Sequence, residues 1–183
     1  MITIRETTIP SCFHITPLAV KDKRGFFVKI FQQEYFSRKG LETSFQEEYY
    51  TISKKRVLRG LHFQIPPYDH TKIVHCLSGK VIDVVVDLRI GSPTYGKYAM
   101  FTLNAKKGDM IYVPKGLAHG FYVLSKQAIM LYKVTTAYSP EHDKGILWDS
   151  VNIPWPDSHP IISSRDSKLV PFSEFKSHFS YKK

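Results

Sequence analysis

Apolar and polar residues alternate with a period of two through most of this chain. The clearest case is the segment 80–89, in which Ile82, Val84 and Val86 share one face of a predicted strand and should pack in the core. The opposite face mixes carboxylates with valines. Such a face either lines a polar cavity or simply meets water.

Seven further segments have strand character, namely 26–31, 49–54, 71–77, 98–103, 109–113, 120–123 and 128–135. Turn signals separate them at short intervals. Short helices are predicted over 33–39 and over 173–178. Many short strands between regular turns are typical of a jelly roll, so the sequence predicts one all-β domain over 1–183, a jelly-roll sandwich or barrel with short helices at its periphery and C-terminus.

Composition agrees with one globular core, since 43% of the 183 residues are hydrophobic and 14% are aromatic. No apolar run is long enough to span a membrane, and the first residues lack the apolar stretch of a signal peptide. Cys12 and Cys76 are too few for a disulfide framework, so we expect both to be buried. These features predict a cytoplasmic protein without membrane contact.

The chain is basic, with 26 Lys and Arg against 16 Asp and Glu, a net charge of +10. That excess favours an anionic partner without saying which one. Part of it lies in the segment 175–183, which we expect to be a loosely held tail. No long basic run or zinc-finger pattern is present, so nucleic acid is not the predicted partner.

Candidate chemistry is densest in the segment Arg59-Gly60-Leu61-His62. Arginine presents a planar fork of donors that suits a diphosphate, and an imidazole can accept a proton near neutral pH. The alternative for these two residues is a surface arginine and a half-buried histidine.

A second segment, 112–121, has the Pro-x-Gly turn and the following histidine, His119, that are common at the mouth of cupin barrels. Metal-binding cupins usually have His-x-His where this chain has His62-Phe63-Gln64. Two histidines and a neutral amide are a poor site for a divalent ion, so no metal is predicted.

Three more positions each allow two interpretations. Lys72 interrupts an apolar strand and either reaches the surface or points into a cavity. Tyr132 is either core filler or a functional phenol. Asp166 either orients a histidine or belongs to a turn.

Taken together, the motifs resemble the dTDP-4-dehydrorhamnose 3,5-epimerase family. The similarity covers nearly the whole chain in order, with the segments 22–27, 57–64, 72–74, 83–89, 91–97, 113–121, 132–133, 138–142, 145–148 and 163–166. The resemblance implies a cupin jelly roll that forms a homodimer, acts on a nucleotide-diphosphate 4-keto sugar and uses no cofactor.

The resemblance also implies roles for individual residues. His62 would remove the proton beside the ketone, with Asp166 holding its imidazole, and Tyr132 would return a proton from the opposite face. Lys72 would stabilise the enolate oxygen. The implied substrate-binding residues are Arg59 at the diphosphate, Arg24, Phe27 and Tyr138 at the nucleotide end, His119 near the sugar, and Gln64.

Three positions depart from the family pattern: Lys29 replaces a usual glutamate, and Glu47 and Tyr49 replace a usual Gln-x-Asn. A lysine only donates hydrogen bonds, so cytosine, which offers acceptors, becomes an attractive base, and guanine could donate to Glu47. A CDP- or GDP-linked sugar therefore stays open, and so does epimerisation at one centre only, because the same base and acid would serve either outcome. So do a non-catalytic cupin that binds a nucleotide sugar and a metal-dependent cupin oxygenase.

Overall fold

The computed structural model describes residues 2–182, in which two antiparallel sheets pack face to face. The six-stranded sheet has the spatial order β1 (Thr3–Glu6), β2 (Phe13–Thr16), β11 (Met110–Val113), β7 (Lys72–Ser78), β13 (Gln127–Val134) and β5 (Glu47–Lys54). The five-stranded sheet has the order β10 (Tyr98–Asn104), β8 (Lys80–Asp87), β12 (Leu117–Val123), β6 (Leu58–Gln64) and β14 (Asp143–Gly145). The all-β jelly-roll prediction is confirmed.

Smaller elements surround the two sheets. A hairpin of β3 (Leu18–Asp22) and β4 (Gly25–Lys29) forms a separate ribbon, and β9 (Arg89–Ile90) pairs in parallel with β15 (Phe179–Ser180). The single α-helix among the described residues, α1 (Gln33–Arg38), ends one residue before the predicted boundary. Two 3-10 turns, Asp166–Lys168 and Phe172–Glu174, lie near the C-terminus.

Apolar side chains form three layers. The inner layer lies between the sheets and includes Val74 and Met130 from one sheet and Val85 and Phe121 from the other. A second cluster packs α1 against the outer face of the six-stranded sheet. A third covers the outer face of the five-stranded sheet with the C-terminal segment. Both faces of each sheet are therefore covered over much of their area.

The chain passes from one sheet to the other at Gly79, between β7 and β8. Gly79 has φ +85°, and a Cβ atom there would lie 2.2 Å from the carbonyl oxygen of Gln127. Only glycine fits this corner, because both the backbone angle and the available space exclude a side chain.

The predicted strands all occur, with boundaries shifted by up to three residues. The segment 80–89 is interrupted after Asp87, and Arg89 belongs to β9. Its mixed face turns inward and does not meet water: Val81 and Val85 pack in the inner layer, and Asp83 is fully buried beside His119. The strands β1 to β3, β14 and β15 were not predicted, because each has at most five residues and so shows little alternation.

Two C-terminal predictions are wrong. The segment 173–178 is not a helix: Phe172 packs on Tyr95 and Phe175 on Phe63, while the backbone beyond the 3-10 turn is extended. Aromatic residues three and four apart mimic a helical stripe, but here they fill the outer face of a sheet. The tail, described to residue 182, is not loose either, since Phe179 is buried and β15 is paired.

The two cysteines are buried and unpaired, as predicted. Across residues 2–182, no helix has the length and apolar character needed to cross a membrane.

Candidate active site

A cavity of about 510 Å³ lies between the two sheets and is partly open to solvent. Both sheets contribute to its walls. Nine of the residues singled out from the sequence line it: Glu47, Tyr49, Arg59, His62, Gln64, Lys72, His119, Tyr132 and Tyr138.

Strand register explains the wall that the six-stranded sheet provides. Tyr132 on β13 lies directly opposite Tyr49 on β5, and Val134 lies opposite both Glu47 and Lys72 on its two neighbours. Cross-strand partners share a face, so these polar side chains all point inward. The alternate residues of β5 point away from the cavity.

On the opposite wall, a β-bulge in the pairing of β6 with β12 explains why Arg59 and His62 both face the cavity. Arg59 and His62 are three residues apart, a spacing that places side chains on opposite faces of a regular strand. The pairing of β6 with β12 shifts register between His119 and Phe121, and both Arg59 and His62 consequently line the cavity. Gly60 lies at this irregularity with φ +132°, and a Cβ there would stand 2.5 Å from the Cα of Gly120.

His62 and Asp166 form a hydrogen-bonded pair, with Nε2 of the imidazole 2.8 Å from Oδ1 of the carboxylate. Burial would raise the pKa of Asp166, but the hydrogen bond and charge of His62 and the N–H of Gly60 outweigh it and hold the pKa below its ordinary value. The carboxylate therefore stays ionised and orients the imidazole. The turn containing Asp166 is held by Ser163, whose Oγ accepts the N–H of Asp166.

Lys72 points into the cavity, not to the surface. It is 7% exposed, and its Nζ donates to the carbonyl oxygen of His62 at 3.3 Å. Burial lowers the pKa of Lys72 to about 8, against the opposing influence of Asp143 and Asp83. At neutral pH the side chain is still largely an ammonium ion, held beside the histidine.

Tyr132 is stacked on Tyr49, with ring centroids 5.0 Å apart and planes inclined by 19°. Burial raises the pKa of Tyr132 well above its ordinary value, with smaller contributions from Asp83 and Tyr49. The phenol therefore keeps its proton at neutral pH and is available as a proton donor.

His119 lies on the same wall as His62 and shares a hydrogen bond with Asp83, with Nε2 2.8 Å from Oδ2. Its ring centroid is 6.0 Å from that of Tyr132. This second His–Asp pair is almost completely buried, with His119 at the cavity wall and Asp83 behind it.

Gln64 holds loops in place. Its Nε2 donates to the carbonyl oxygens of Tyr68 at 2.9 Å and Ala137 at 3.2 Å, and its Oε1 accepts the N–H of Ser139 at 2.6 Å. The amide is therefore occupied by backbone groups and shapes the cavity wall.

Glu47 and Arg59 each make a hydrogen bond to another segment of the chain. Glu47 accepts the backbone N–H of Tyr138 at 3.0 Å, and Arg59 donates through Nε to Ser53 at 2.9 Å. Arg59 is exposed to solvent, so its guanidinium can reach an anionic group at the edge of the cavity.

Arg24, Phe27 and Lys29 do not join the others. They belong to the β3–β4 hairpin, where Arg24 pairs with Asp22 and lines a separate shallow groove together with Phe27. Lys29 is exposed at the end of β4. Their predicted role in nucleotide binding is not realised within one copy of the described chain and stays a prediction.

Sequence reasoning missed three ionisable residues of the cavity wall, and also two threonines, Thr51 and Thr136. His70 precedes β7, Asp143 begins β14, and Arg165 adjoins Asp166 and pairs with Asp143 at 2.9 Å. Arg165 lay within a motif already singled out, whereas nothing local marked His70. Among residues 2–182, no three His, Cys, Asp or Glu side chains are grouped as metal ligands would be.

The arrangement suits proton transfer at a carbon acid. A hydrogen-bonded imidazole lies on one wall and a protonated phenol on the other, and an ammonium group is available to stabilise a developing oxyanion.

Comparison with known proteins agrees with this geometry. The family model described as dTDP-4-dehydrorhamnose 3,5-epimerase matches residues 6–174. The dTDP-4-dehydrorhamnose 3,5-epimerase of Shigella flexneri is 40% identical over 168 residues, covering 90% of this chain and 93% of the relative.

Solved structures show the same likeness. An epimerase from Legionella pneumophila in complex with dTDP-4-keto-L-rhamnose superposes with a TM-score of 0.95 at 34% identity, covering 100% of both chains. A 3′-monoepimerase from Streptomyces bikiniensis in complex with dTDP-quinovose superposes with a TM-score of 0.87 at 28% identity, covering 91% of this chain and 86% of that one. The chain belongs to the dTDP-4-dehydrorhamnose 3,5-epimerase family.

Proposed function

We propose that this protein epimerises carbons 3 and 5 of a nucleotide-diphosphate 4-keto-6-deoxy sugar through an enolate, in the synthesis of deoxysugar precursors of surface polysaccharides. One observation carries the proposal: His62 and Tyr132 line one cavity from opposite sheets, with Lys72 beside the histidine. Family membership supports the reaction class, an isomerisation without a cofactor.

Proton removal is assigned to His62. Its imidazole takes the proton from the carbon beside the 4-ketone, and the electron pair of the broken C–H bond moves onto the ketone oxygen. Asp166, 2.8 Å from the imidazole, stabilises the imidazolium that forms. A positioned base of this kind typically contributes about 10²–10⁴-fold to the rate.

Stabilisation of the enolate oxygen is assigned to Lys72. Because its ammonium is buried between the sheets, water screens its charge little, and its attraction for a developing oxyanion is strong. The cation is already in place before the reaction, so no reorganisation is needed when charge develops.

Inversion is assigned to Tyr132. Its phenol lies on the wall opposite His62, so a proton delivered from it reaches the other face of the ring and reverses the configuration. The phenolate then regains a proton and the imidazolium loses one to solvent, so the cycle ends with no net change in protons. The same pair acts at each centre in turn.

A hydrogen–deuterium exchange assay tests the proposal. Incubation with the dTDP-linked 4-keto-6-deoxy sugar in heavy water should place deuterium at both centres. His62→Ala should abolish the exchange, whereas His159→Ala, in an exposed loop, should not affect it. Normal exchange by His62→Ala would refute the assignment of the base, and no exchange by the unaltered protein would favour a non-catalytic binding cupin.

A single-centre epimerase is the second candidate, because the chain also resembles a 3′-monoepimerase. The same experiment separates the two: deuterium at only one carbon would establish the single-centre reaction.

The nucleotide that we propose is dTDP, which the names of the relatives share. Lys29 is exposed outside the cavity of its own chain, so its charge does not argue against thymine there. Calorimetric titration with dTDP, CDP, GDP and UDP should show preference for dTDP. A preference for CDP or GDP would instead support a change of base linked to Lys29 or Glu47.

We also propose a homodimer. Phe26 and Phe27 on the hairpin are 63% and 60% exposed, and Tyr50 and Ile52 on the edge strand β5 are 63% and 54% exposed. Surface apolar area of this kind is typical of an interface. Light scattering should give twice the monomer mass of 21.1 kDa.

The remaining assignments are also proposals. We propose one catalytic domain, a cytoplasmic location, which the buried thiols favour, and no binding of nucleic acid or membrane.

A further inference from the structure

Tyr49 is a cavity residue that the mechanism above does not use. It belongs to β5, the edge strand of the six-stranded sheet, and it is one of the three positions at which the chain departs from the family pattern. Its ring is stacked on that of Tyr132, the proposed proton donor. This contact indicates what Tyr49 contributes to the reaction.

Strand pairing creates the contact. Tyr49 and Tyr132 are direct cross-strand partners of β5 and β13, so their side chains leave the sheet side by side on the same face. The ring centroids are 5.0 Å apart and the planes are inclined by 19°. Tyr49 therefore covers the side of the Tyr132 ring that faces the edge strand.

The two rings differ in exposure. Tyr132 is buried, whereas Tyr49 is 42% exposed and is the outer member of the pair. A smaller side chain at position 49 would leave space beside Tyr132, and the phenol could then swing toward β5 by rotation about its Cα–Cβ bond. Tyr49 blocks this displacement.

Packing orients the proton donor, whereas a hydrogen bond to a carboxylate orients the base His62. The ring of Tyr132 is flanked by Tyr49 from its own sheet and, at 6.0 Å between centroids, by the edge of His119 from the opposite sheet. The hydroxyl of Thr51, two residues along β5 on the same face, is without a hydrogen-bond partner among the described residues, so it does not fix the phenol.

Inversion and exchange depend differently on this orientation. Exchange at carbon 5 requires only His62, which can return a deuteron from solvent to the face from which it took the proton. Inversion requires the phenol of Tyr132 to reach the same carbon from the other face. A displaced phenol therefore slows inversion and leaves exchange intact.

We propose that Tyr49 is a positioning residue for Tyr132: its ring holds the phenol in line for proton delivery and so favours inversion over exchange with retention. This inference rests on the proposed function, because it requires Tyr132 to be the acid. The face of the Tyr49 ring has this effect, and the Tyr49 hydroxyl is not needed for it.

The ratio of inversion to exchange at carbon 5 tests the inference. Both rates are measured by NMR in heavy water with the dTDP-linked 4-keto-6-deoxy sugar. Tyr49→Leu should lower the ratio by about two- to tenfold, the range expected for the loss of one stacked aromatic pair, with exchange nearly unchanged. Tyr49→Phe keeps the ring and should keep the ratio. Since both rates come from the same molecules, the ratio does not depend on how much of a variant is folded.

Two further variants serve as controls. Tyr95→Leu also removes one tyrosine ring from an aromatic pair, because Tyr95 is 40% exposed and packs on Phe172 at 5.6 Å between centroids, outside the cavity. It should keep the ratio of the unaltered protein. In a Tyr132→Phe background, Tyr49→Leu should have no further effect on the ratio, since the acid is already absent.

Several results would overturn the inference. An unchanged ratio in Tyr49→Leu, including an equal loss of both rates, would leave Tyr49 a structural residue only. A fall in Tyr49→Phe as large as that in Tyr49→Leu would assign the effect to the hydroxyl, and a further fall in the Tyr132→Phe background would show that Tyr49 does not act through Tyr132. Should Tyr49→Leu fail to fold, Tyr49→Val, with a better strand former, gives the same comparison.

The unaltered protein and Tyr132→Phe separate these failures from failure of the proposed function. Absence of exchange by the unaltered protein overturns the function itself. Normal inversion by Tyr132→Phe overturns the assignment of the acid, and with it the inference about Tyr49.

Discussion

Raising the pH should switch off the ammonium group of Lys72 well below the pH at which ordinary lysines lose their charge. In the proposed mechanism only the charged form stabilises the enolate. Burial between the sheets lowers the pKa of Lys72 from 10.5 to about 8. The perturbation is therefore the pH itself, applied between 7 and 10.

The expected size of the effect follows from that pKa. Between pH 7 and pH 9 the charged fraction of a group with a pKa of about 8 falls from roughly nine-tenths to roughly one-tenth, so kcat/KM should fall about tenfold. A lysine with the ordinary value would lose only a few per cent. In the profile of kcat the decline should begin at higher pH, because the bound anionic substrate favours the ammonium form.

The assay is proton exchange at carbon 5 across this range, at low and at saturating substrate, with circular dichroism at each pH to verify folding. Lys72→Arg is the matched variant, because a guanidinium stays charged throughout. Its activity should be lower, since the fork cannot occupy the same position, but it should show no decline centred near pH 8.

Two results would refute the reasoning. A kcat/KM that stays level from pH 7 to pH 10 would show that the charge of Lys72 is not required or that its pKa is not lowered. An identical alkaline decline in Lys72→Arg would assign the titration to another group.

Three other predictions follow from the same structure. Tyr132→Phe should retain exchange at carbon 5 while inversion there falls by about 10²–10⁴-fold; equal rates of exchange and inversion, measured by NMR, would contradict its role as the acid. Gly60→Ala should lower the free energy of unfolding by about 2–4 kcal/mol in a urea titration, because φ is +132° and the new Cβ would lie 2.5 Å from Gly120 Cα; an unchanged midpoint would contradict this packing. The His70 ring should show no NMR titration between pH 5 and 8. Because its folded pKa of about 3 lies below 6.5, its contribution to stability is present above pH 6.5 and is lost as the pH falls toward 3, so His70→Gln should make unfolding less dependent on pH in that window.

Much of the fold could be read from the sequence, because alternation is a local property. The strand 80–87 can be recognised from the alternation of its own residues, and Gly79 indicates the turn that precedes it. The residue types of the site could also be identified from the sequence, because an imidazole, an ammonium, a phenol and a carboxylate follow one another along the chain at matching motifs. Local alternation failed where aromatic spacing was ambiguous, as at Phe172 and Phe175, whose helical spacing belongs to a 3-10 turn and the extended backbone that follows it.

Tertiary structure decided which of those residues meet. Arg59 and His62 have a spacing that a regular strand would split between two faces, and only the bulge against β12 turns both inward. Asp166 reaches His62 across 104 residues, and Tyr49 reaches Tyr132 through the register of β5 with β13. The sequence alone determined the longer strands and the chemistry available, because both depend on neighbouring residues. Register, bulges and burial depend on contacts between distant segments, so only the folded chain decided that His62, Lys72 and Tyr132 share one cavity.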